Sequence, residues 1–516
     1  MLLSAIWLTQ LSSVTPSPCF SVLDFGAIGD GVRDDTAAFK AALAAAAPAL
    51  GCVRVPPVAA GGGYVITTTV EISPGVALIG ALAGYPAPPS CYINVNATGG
   101  SRIFARPSAD QYNVTAQIGE PLFHLLGEGI TVRGIYVLYD RVPYPTDREI
   151  DAMYPAGFDD ASARYVAEHV PPHGPTFYIT NGVRVEIADV IGANFRTLIY
   201  FAGGGHGEGH IRRVQGWGYD ALITVEQAMD VLTFEQVHMI INASPFCIGA
   251  KPASCSHGKT PFVDERCRGN FTVIPAIVVL RSTNVLLWLG RADGYVGREL
   301  FAFGVNTAVR LGSSVEFPLR NPVTGKLPVF AGGVAPRAPG VQAPATGPWG
   351  TLSQLMVDQC VYGIHFVWPN PLSNRFSDIQ LHPSFWDDGS YVVEKIANGS
   401  GTGYGRIAKE AAIMVEPTHT VGNNANLGIT TMLSNFVIAS FDDHKNFGHA
   451  SHSLGESNGR AFILRGDGIF DVRGFAMNNE RNGDTHLWVK TETSLAKVRI
   501  ASPVINYDFV EDILIV

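Results

Sequence analysis

Residues 20–40 read FSVLDFGAIGDGVRDDTAAFK, and few folds can use such a stretch. Gly26, Gly29 and Gly31 alternate with acidic residues just ahead of an alanine-rich run, 36–47. Glycines in that pattern fit tight turns that need φ > 0. Asp34 or Asp35 stands where a helix N-cap belongs, since a carboxylate there accepts unpaired backbone N–H groups and complements the helix dipole. Phe39 and Leu43 fall at helical spacing, and Pro48 and Gly51 end the run. Asp24, Asp30, Asp34 and Asp35 are therefore expected to be structural. A helix so placed covers the open edge of a stack of strands, as the end of a solenoid requires.

The rest of the chain supplies the stack. Short β-rich runs stand at 129–138, 182–191, 209–214, 231–240 and 284–289, and again at 352–357, 376–381, 429–438, 462–472 and 496–500. Alternating apolar residues in each run put one set inside. Several runs lie ~20 to 27 residues apart, the spacing of one solenoid rung. The wider gaps are expected to be loop insertions, at 139–176, 242–270, 316–350, 386–424 and 441–459. The organisation expected is a lead-in (1–18), a cap with the first rungs (19–80), a body with insertions (81–459), and final rungs or a small β-rich cap (460–516).

Three phrases in order also carry a resemblance. They are Asp24-Phe25-Gly26-Ala27 with Gly29, Asp30, Gly31, Asp34, Asp35, Thr36, Ala38 and Ala42; Val53-Arg54-Val55-Pro56-Pro57; and Gly63, Tyr64, Ile66 followed by Pro74, Gly75, Val76, Leu78 and Gly80. In this the opening resembles the pectate-lyase/polygalacturonase-like superfamily. The resemblance implies an all-β fold, a right-handed single-stranded parallel β-helix with an N-terminal capping helix and long loop insertions. It covers about the first eighty residues, and it speaks to fold far more than to reaction.

Composition narrows the partners. The chain of 516 residues has 56 glycines, 33 prolines and only 16% charged residues, so a large core can be buried along one axis. The net charge of −9, with no Lys/Arg stripe, argues against a nucleic-acid partner. It also sits awkwardly with a polyanionic substrate, unless a local basic cleft overrides the global sign. The apolar run 2–11 is too short to span a membrane and fits a secretory signal, or else a lead-in that packs on the solenoid or a neighbouring chain. No membrane insertion is expected. Seven cysteines occur, three of them (Cys247, Cys255 and Cys267) crowded together, so one disulfide within that stretch is expected in an exported protein. No C-x-x-C pair points to zinc. Glycosylation sequons stand at Asn96, Asn113, Asn242, Asn270 and Asn398.

The chemistry-bearing stretch is 194–237. Gly218-Tyr219-Asp220 before the strand 221–225 resembles the polygalacturonase G-D-D motif with its first Asp replaced by Tyr. Asp220 thus matches a catalytic carboxylate of that family. The pattern departs elsewhere. Asn194-Phe195-Arg196 stands where N-T-D belongs, Gly205-His206-Gly207 precedes Asp220 instead of following it, and Ile211-Arg212-Arg213 is no R-I-K. The candidate catalytic residues are Asp220, Glu226, Glu208, His206 and His365, with His210 a further candidate base or ligand. Hydrolases need carboxylates flanking the scissile bond, and lyases need a base and a cation. Arg310, Arg212 and Trp217 are the candidate substrate-binding residues; Trp368 and Trp386 share the stacking expectation with Trp217. Arg310 and His365 are expected to point outward and, if on one sheet with Asp220, to line a groove. No metal site or firm cofactor emerges; Asp387-Asp388 and Asp442-Asp443-His444 are weak candidates for Ca²⁺.

Three function classes fit. The leading one is an exported enzyme cleaving a polysaccharide, a glycoside hydrolase or a polysaccharide lyase. The second is a virion tailspike or fibre that binds or depolymerises a host glycan, which implies a homotrimer on the virion surface. The third is a non-catalytic structural protein on the same scaffold.

Overall fold

The computed structural model of the chain describes residues 17–59, 61–82, 100–107, 120–142, 170–171, 173–202, 205–240, 284–303, 305–312, 348–360, 362–366, 373–383, 411–415, 429–438, 460–464, 468–477, 489–491, 496–501 and 504–505. Among them lie 25 strands in one continuous sheet, wound as a right-handed parallel β-helix with a single α-helix at its start. Every strand-to-strand pairing is parallel, as successive turns of a coil demand.

The long strands bend around corners, so the coil has three faces. Face A carries Cys19–Ser21, Cys52–Val55, Ala77–Gly80 and then the first halves of Thr131–Leu138, Glu186–Phe201, Gly209–Ala228 and Leu232–Ile240. Face B carries Gly63–Ile66, Ser101–Ala105 and the stretches that follow face A around the corner. Face C carries Phe123–Leu126, Phe177–Thr180, residues 197–201, 221–225 and 285–289, Thr307–Leu311, Tyr362–Phe366 and Ala411–Val415. The last of these falls inside 386–424, which the sequence marks as an insertion.

The interior is a set of apolar columns. On face C one column runs Phe123, Phe177, Ile199, Ile223, Leu287, Val309 and Ile364, one residue per rung, all at most 1% exposed. Phe123 and Phe177 stack with ring centres 5.4 Å apart. Each column member hides mainly against the rungs above and below, so the core lengthens without thickening.

The opening phrase does the structural work expected of it. Helix Thr36–Ala46 buries Phe39 and Leu43. Asp35 holds the N-cap position, but its side chain makes no cap bond; Asp34 does. Asp34 Oδ1 accepts the Thr36 N–H at 2.9 Å. Asp35 turns back and accepts the N–H groups of Ile28 (2.7 Å), Gly29 (3.3 Å) and Val65 (3.2 Å), tying the opening loop to the next rung. Gly29 has φ +69°, and a Cβ there would lie 2.7 Å from Val58. A disulfide joins Cys19 to Cys52, fastening the first strand to its ladder neighbour.

From Thr131–Leu138 onward the corner between faces A and B is built from a single left-handed residue per rung. These are Gly134, Asp189, Arg213, Gln236, Glu299, Gln354, Asp378 and Asn435, with φ between 49° and 72°. Left-handed backbone costs a non-glycine residue on the order of 1–2 kcal/mol. Contacts along the row offset it: Arg213 Nη2 donates to Asp189 at 2.7 Å, Gln236 to Glu299 at 2.7 Å, and Asn435 to Asp378 at 2.9 Å.

Residues 1–16, Cys247, Cys255 and Cys267, the five sequons, Trp368, Trp386, both acidic pairs and most of the expected insertions lie outside the described residues. Among the described residues, no helix is long and apolar enough to cross a membrane.

Candidate functional site

Two regions hold the chemistry-bearing side chains, and they lie on different faces. The first is an exposed cleft where the chain enters face A. Next to it is a turn fixed by His206. This ring is 1% exposed, accepts the Gly182 N–H on Nδ1 at 2.9 Å and donates from Nε2 to the Ala202 carbonyl. Both nitrogens are thus committed to backbone, and burial pushes the ring down to about 4. His206 is therefore a neutral structural tie and not the base the sequence suggested.

Above that tie, Arg184 and Glu208 occupy equivalent left-handed turn positions on adjacent rungs, with φ of 55° and 50°. Their side chains meet at 2.8 Å. Arg212 clasps Glu186 through Nε at 2.9 Å and Nη2 at 2.6 Å, and Arg298 holds Glu235 at 2.8 Å. Arg184, Val185, Glu186, Glu208, His210, Arg212 and Glu235 enclose a cleft of about 330 Å³. Of the residues singled out from sequence, Glu208, Arg212 and His210 come together here. Arg184, Glu186 and Glu235 were missed. Their signal was a sign that alternates at rung spacing: Arg184 with Glu208, Glu186 with Arg212.

The second region is the corner leading into face C. Asp220 is 4% exposed and bound to Arg196 Nε at 2.6 Å. Burial raises its carboxyl above the ordinary value, and the Arg196 charge opposes that rise. Beside it Tyr139 stacks on His173 with ring centres 4.0 Å apart, and Asn194 donates to the Tyr139 carbonyl at 3.2 Å. Burial, with Arg196 adding to it, takes His173 down to about 3. Asn284 ties the next rung in, donating to the Gly218 carbonyl at 3.1 Å.

Beyond this corner, face C carries an outward row in register: His124, Tyr178, Tyr200, Thr224, Trp288, Arg310 and His365. Of the two inward pairs open from sequence, Ile223 and Val225 are the ones inside, and Thr224 joins the outer row. Arg310 and His365 are lateral neighbours, as expected, but two and three ladder steps from the Asp220 strand. The Arg310 guanidinium lies 4.5 Å over the Trp288 ring, and Tyr362 lies 5.1 Å from His365. Glu226 accepts from the Tyr200 hydroxyl at 3.4 Å. Burial first, then Glu226, raises Tyr178 to about 12 and holds Tyr200 well above the ordinary tyrosine value. Tyr178, Tyr200, Thr224 and Trp288 are at most 2% exposed, so the middle of this row is covered, while His124 and Arg310 are half-buried.

Trp217 does not serve as a sugar platform. It is 0% exposed and packs edge-on against Tyr219 at 5.5 Å. Among the described residues, no cluster of three or more acidic, His or Cys side chains is arranged to hold a metal.

Residues 19–118 match a family model described as rhamnogalacturonase A/epimerase, pectate lyase-like. No curated protein resembles the chain closely enough to match. Solved structures share its fold, among them two from bacteriophages. One is the tailspike protein of E. coli bacteriophage HK620 in complex with a pentasaccharide, 9% identical, TM-score 0.51, covering 95% of this chain and 67% of that one. The other is the pre-mature gene product 12 of bacteriophage phi29, 12% identical, TM-score 0.50, covering 94% of this chain and 52% of that one. The chain thus spans about half the length of the phi29 protein.

Proposed function

We propose that this pectate lyase-like β-helix recognises a glycan and that the face A cleft is its recognition site. One observation carries the reading. The cleft gathers three carboxylates, two guanidiniums and an imidazole around about 330 Å³. Such a lining offers paired donors and acceptors to hydroxyl groups. The pentasaccharide-bound phage relative supports the ligand class, and the phage neighbours support a place on a virion surface over secretion from a cell. The Cys19–Cys52 bridge supports an oxidising environment.

A second reading, hydrolysis of a glycan that reaches the face C corner, is favoured by Asp220. A general acid needs a raised carboxyl, and Asp220 has one. In this reading Asp220 gives its proton to the leaving glycosidic oxygen while water adds at the anomeric carbon and releases its own proton to solvent. The Arg196 clamp replaces the N-T-D carboxylate of polygalacturonases, so the chemistry departs from theirs.

A panel of glycans, read for binding, reducing ends and unsaturated products, tests both readings. Glu208→Gln with Glu186→Gln should weaken binding at least about tenfold; unchanged binding removes the cleft from consideration. Asp220→Asn should abolish product formation and spare binding. Cleavage that survives in Asp220→Asn discards Asp220 as the acid, and no product from any glycan leaves recognition alone. Sedimentation of the purified chain tests the trimer that the tailspike comparison suggests.

A further inference from the structure

Beside the cleft lies a group of exposed apolar side chains that the recognition reading does not use. Met229 is 57% exposed, Val231 41%, Val296 40% and Trp349 44%. Met229 and Val231 share one rung on the entry side of face A, and Val296 and Trp349 lie on the next two. Leu232 pairs with Tyr295 and Asp293 with Trp349, so Val231, Gly294 and Trp349 follow Arg184 and Glu208 along one line parallel to the coil axis. Three rung spacings, roughly 14 Å, separate Glu208 from Trp349. Gly294 makes the line passable. A Cβ there would lie 3.3 Å from Val231 Cγ2 and 3.4 Å from Trp349 Cη2, and at φ +79° a side chain is strained in any case. The bare glycine lets the indole settle at its edge while staying exposed.

The charges of the cleft point to the kind of glycan. Each carboxylate already has a guanidinium: Glu208 has Arg184, Glu186 has Arg212, and Glu235 has Arg298. The group is electrically balanced. A uronate would need a cation, and these cations are already held by carboxylates. Hydroxyl groups need only the remaining donor and acceptor positions. An apolar platform in line with a balanced polar cleft suits a ligand with hydroxyl edges and C–H faces along one chain. The apolar group comprises four side chains, small beside the ~800 Å² per partner of a stable protein interface.

Building on the recognition reading, we propose that the ligand is an uncharged glycan running along the coil axis from the Glu186/Glu208/Glu235 cleft to Trp349, whose indole stacks on a sugar face. The test uses the full chain and an array of neutral and uronate-containing oligosaccharides, from disaccharides to octasaccharides. Neutral octasaccharides should bind best, and their affinity should hold when salt is raised from about 0.05 to 0.5 M. Trp349→Ala should weaken octasaccharide binding at least about tenfold and leave disaccharide binding in the cleft unchanged. Trp349→Phe should restore most of the affinity. A salt-sensitive preference for uronates overturns the proposal, as does equal loss or no loss at both lengths. A change of oligomeric state in Trp349→Ala also overturns it, because the patch is then an interface between copies. If cleft variants weaken binding and Trp349→Ala does not, this inference fails alone. If cleft variants change nothing, the recognition reading fails first.

Discussion

Arg184–Glu208 and Arg196–Asp220 are nearly the same interaction in two settings. Both join an arginine of one rung to a carboxylate 24 residues later, at 2.8 and 2.6 Å. The first pair has side chains 69% and 54% exposed, the second 17% and 5%. Distance therefore says almost nothing about what each pair does. In water the charges are screened and their geometry is freely given up, which suits a surface that must exchange partners with a ligand. In the covered corner each charge depends on the other, because little solvent reaches either.

The strongest way to break this comparison is Arg196→Met. It leaves Asp220 buried without its cation and should cost about 3–5 kcal/mol, read from the urea midpoint. Arg196→Met with Asp220→Leu should recover most of that loss, since apolar replacement of a whole buried pair is often neutral. A single-variant loss below about 1 kcal/mol would put both pairs in one class.

Acid unfolding sharpens the contrast. The buried His206 accepts a proton only near pH 4 when folded but at its ordinary 6.5 when unfolded. The unfolded chain takes up protons across that window, so stability falls as pH falls through it, by roughly 3 kcal/mol. His206→Gln should flatten that slope in a pH series of unfolding curves. Asp220 runs the other way. Its raised carboxyl favours the folded state below the ordinary aspartate value, and that contribution is lost as pH rises through the raised one. Asp220→Asn should remove this opposing component from the same series.

The smallest effect belongs to the exposed pair. Arg184→Ala should leave the urea midpoint almost unchanged, and more nearly so in high salt. A larger loss would mean that the cleft holds the coil together and is not a surface poised for a ligand.

Local chemistry made the opening legible. Gly26, Gly29 and Gly31 do have positive φ, and Phe39 and Leu43 do face inward. The roles of Asp34 and Asp35 were not separable, because the Val65 N–H that draws Asp35 away comes from a strand 30 residues later. The run 429–438 coincides with its strand. The strand Ala411–Val415 was hidden because AAIMV shows no alternation. Trp217 was expected to stack on a sugar, yet the glycines on either side of it serve close packing. A Cβ on Gly218 would lie 2.2 Å from Phe195, and one on Gly216 would lie 2.5 Å from the Gly192 carbonyl. That inverted the expectation for Trp217. The cleft escaped notice for the opposite reason. Its residues are unremarkable singly, and only the stacking of rungs sets Arg184 beside Glu208 and Glu186 beside Arg212.

The left-handed corner between faces A and B has a metric consequence. From Gly134 to Asn435 it spends one residue of this kind per turn, and no extra length enters there. That edge is a ruler graduated in strand spacings, about 4.8 Å apart. A polymer laid beside it stays in step only if its own repeat keeps nearly the same pitch.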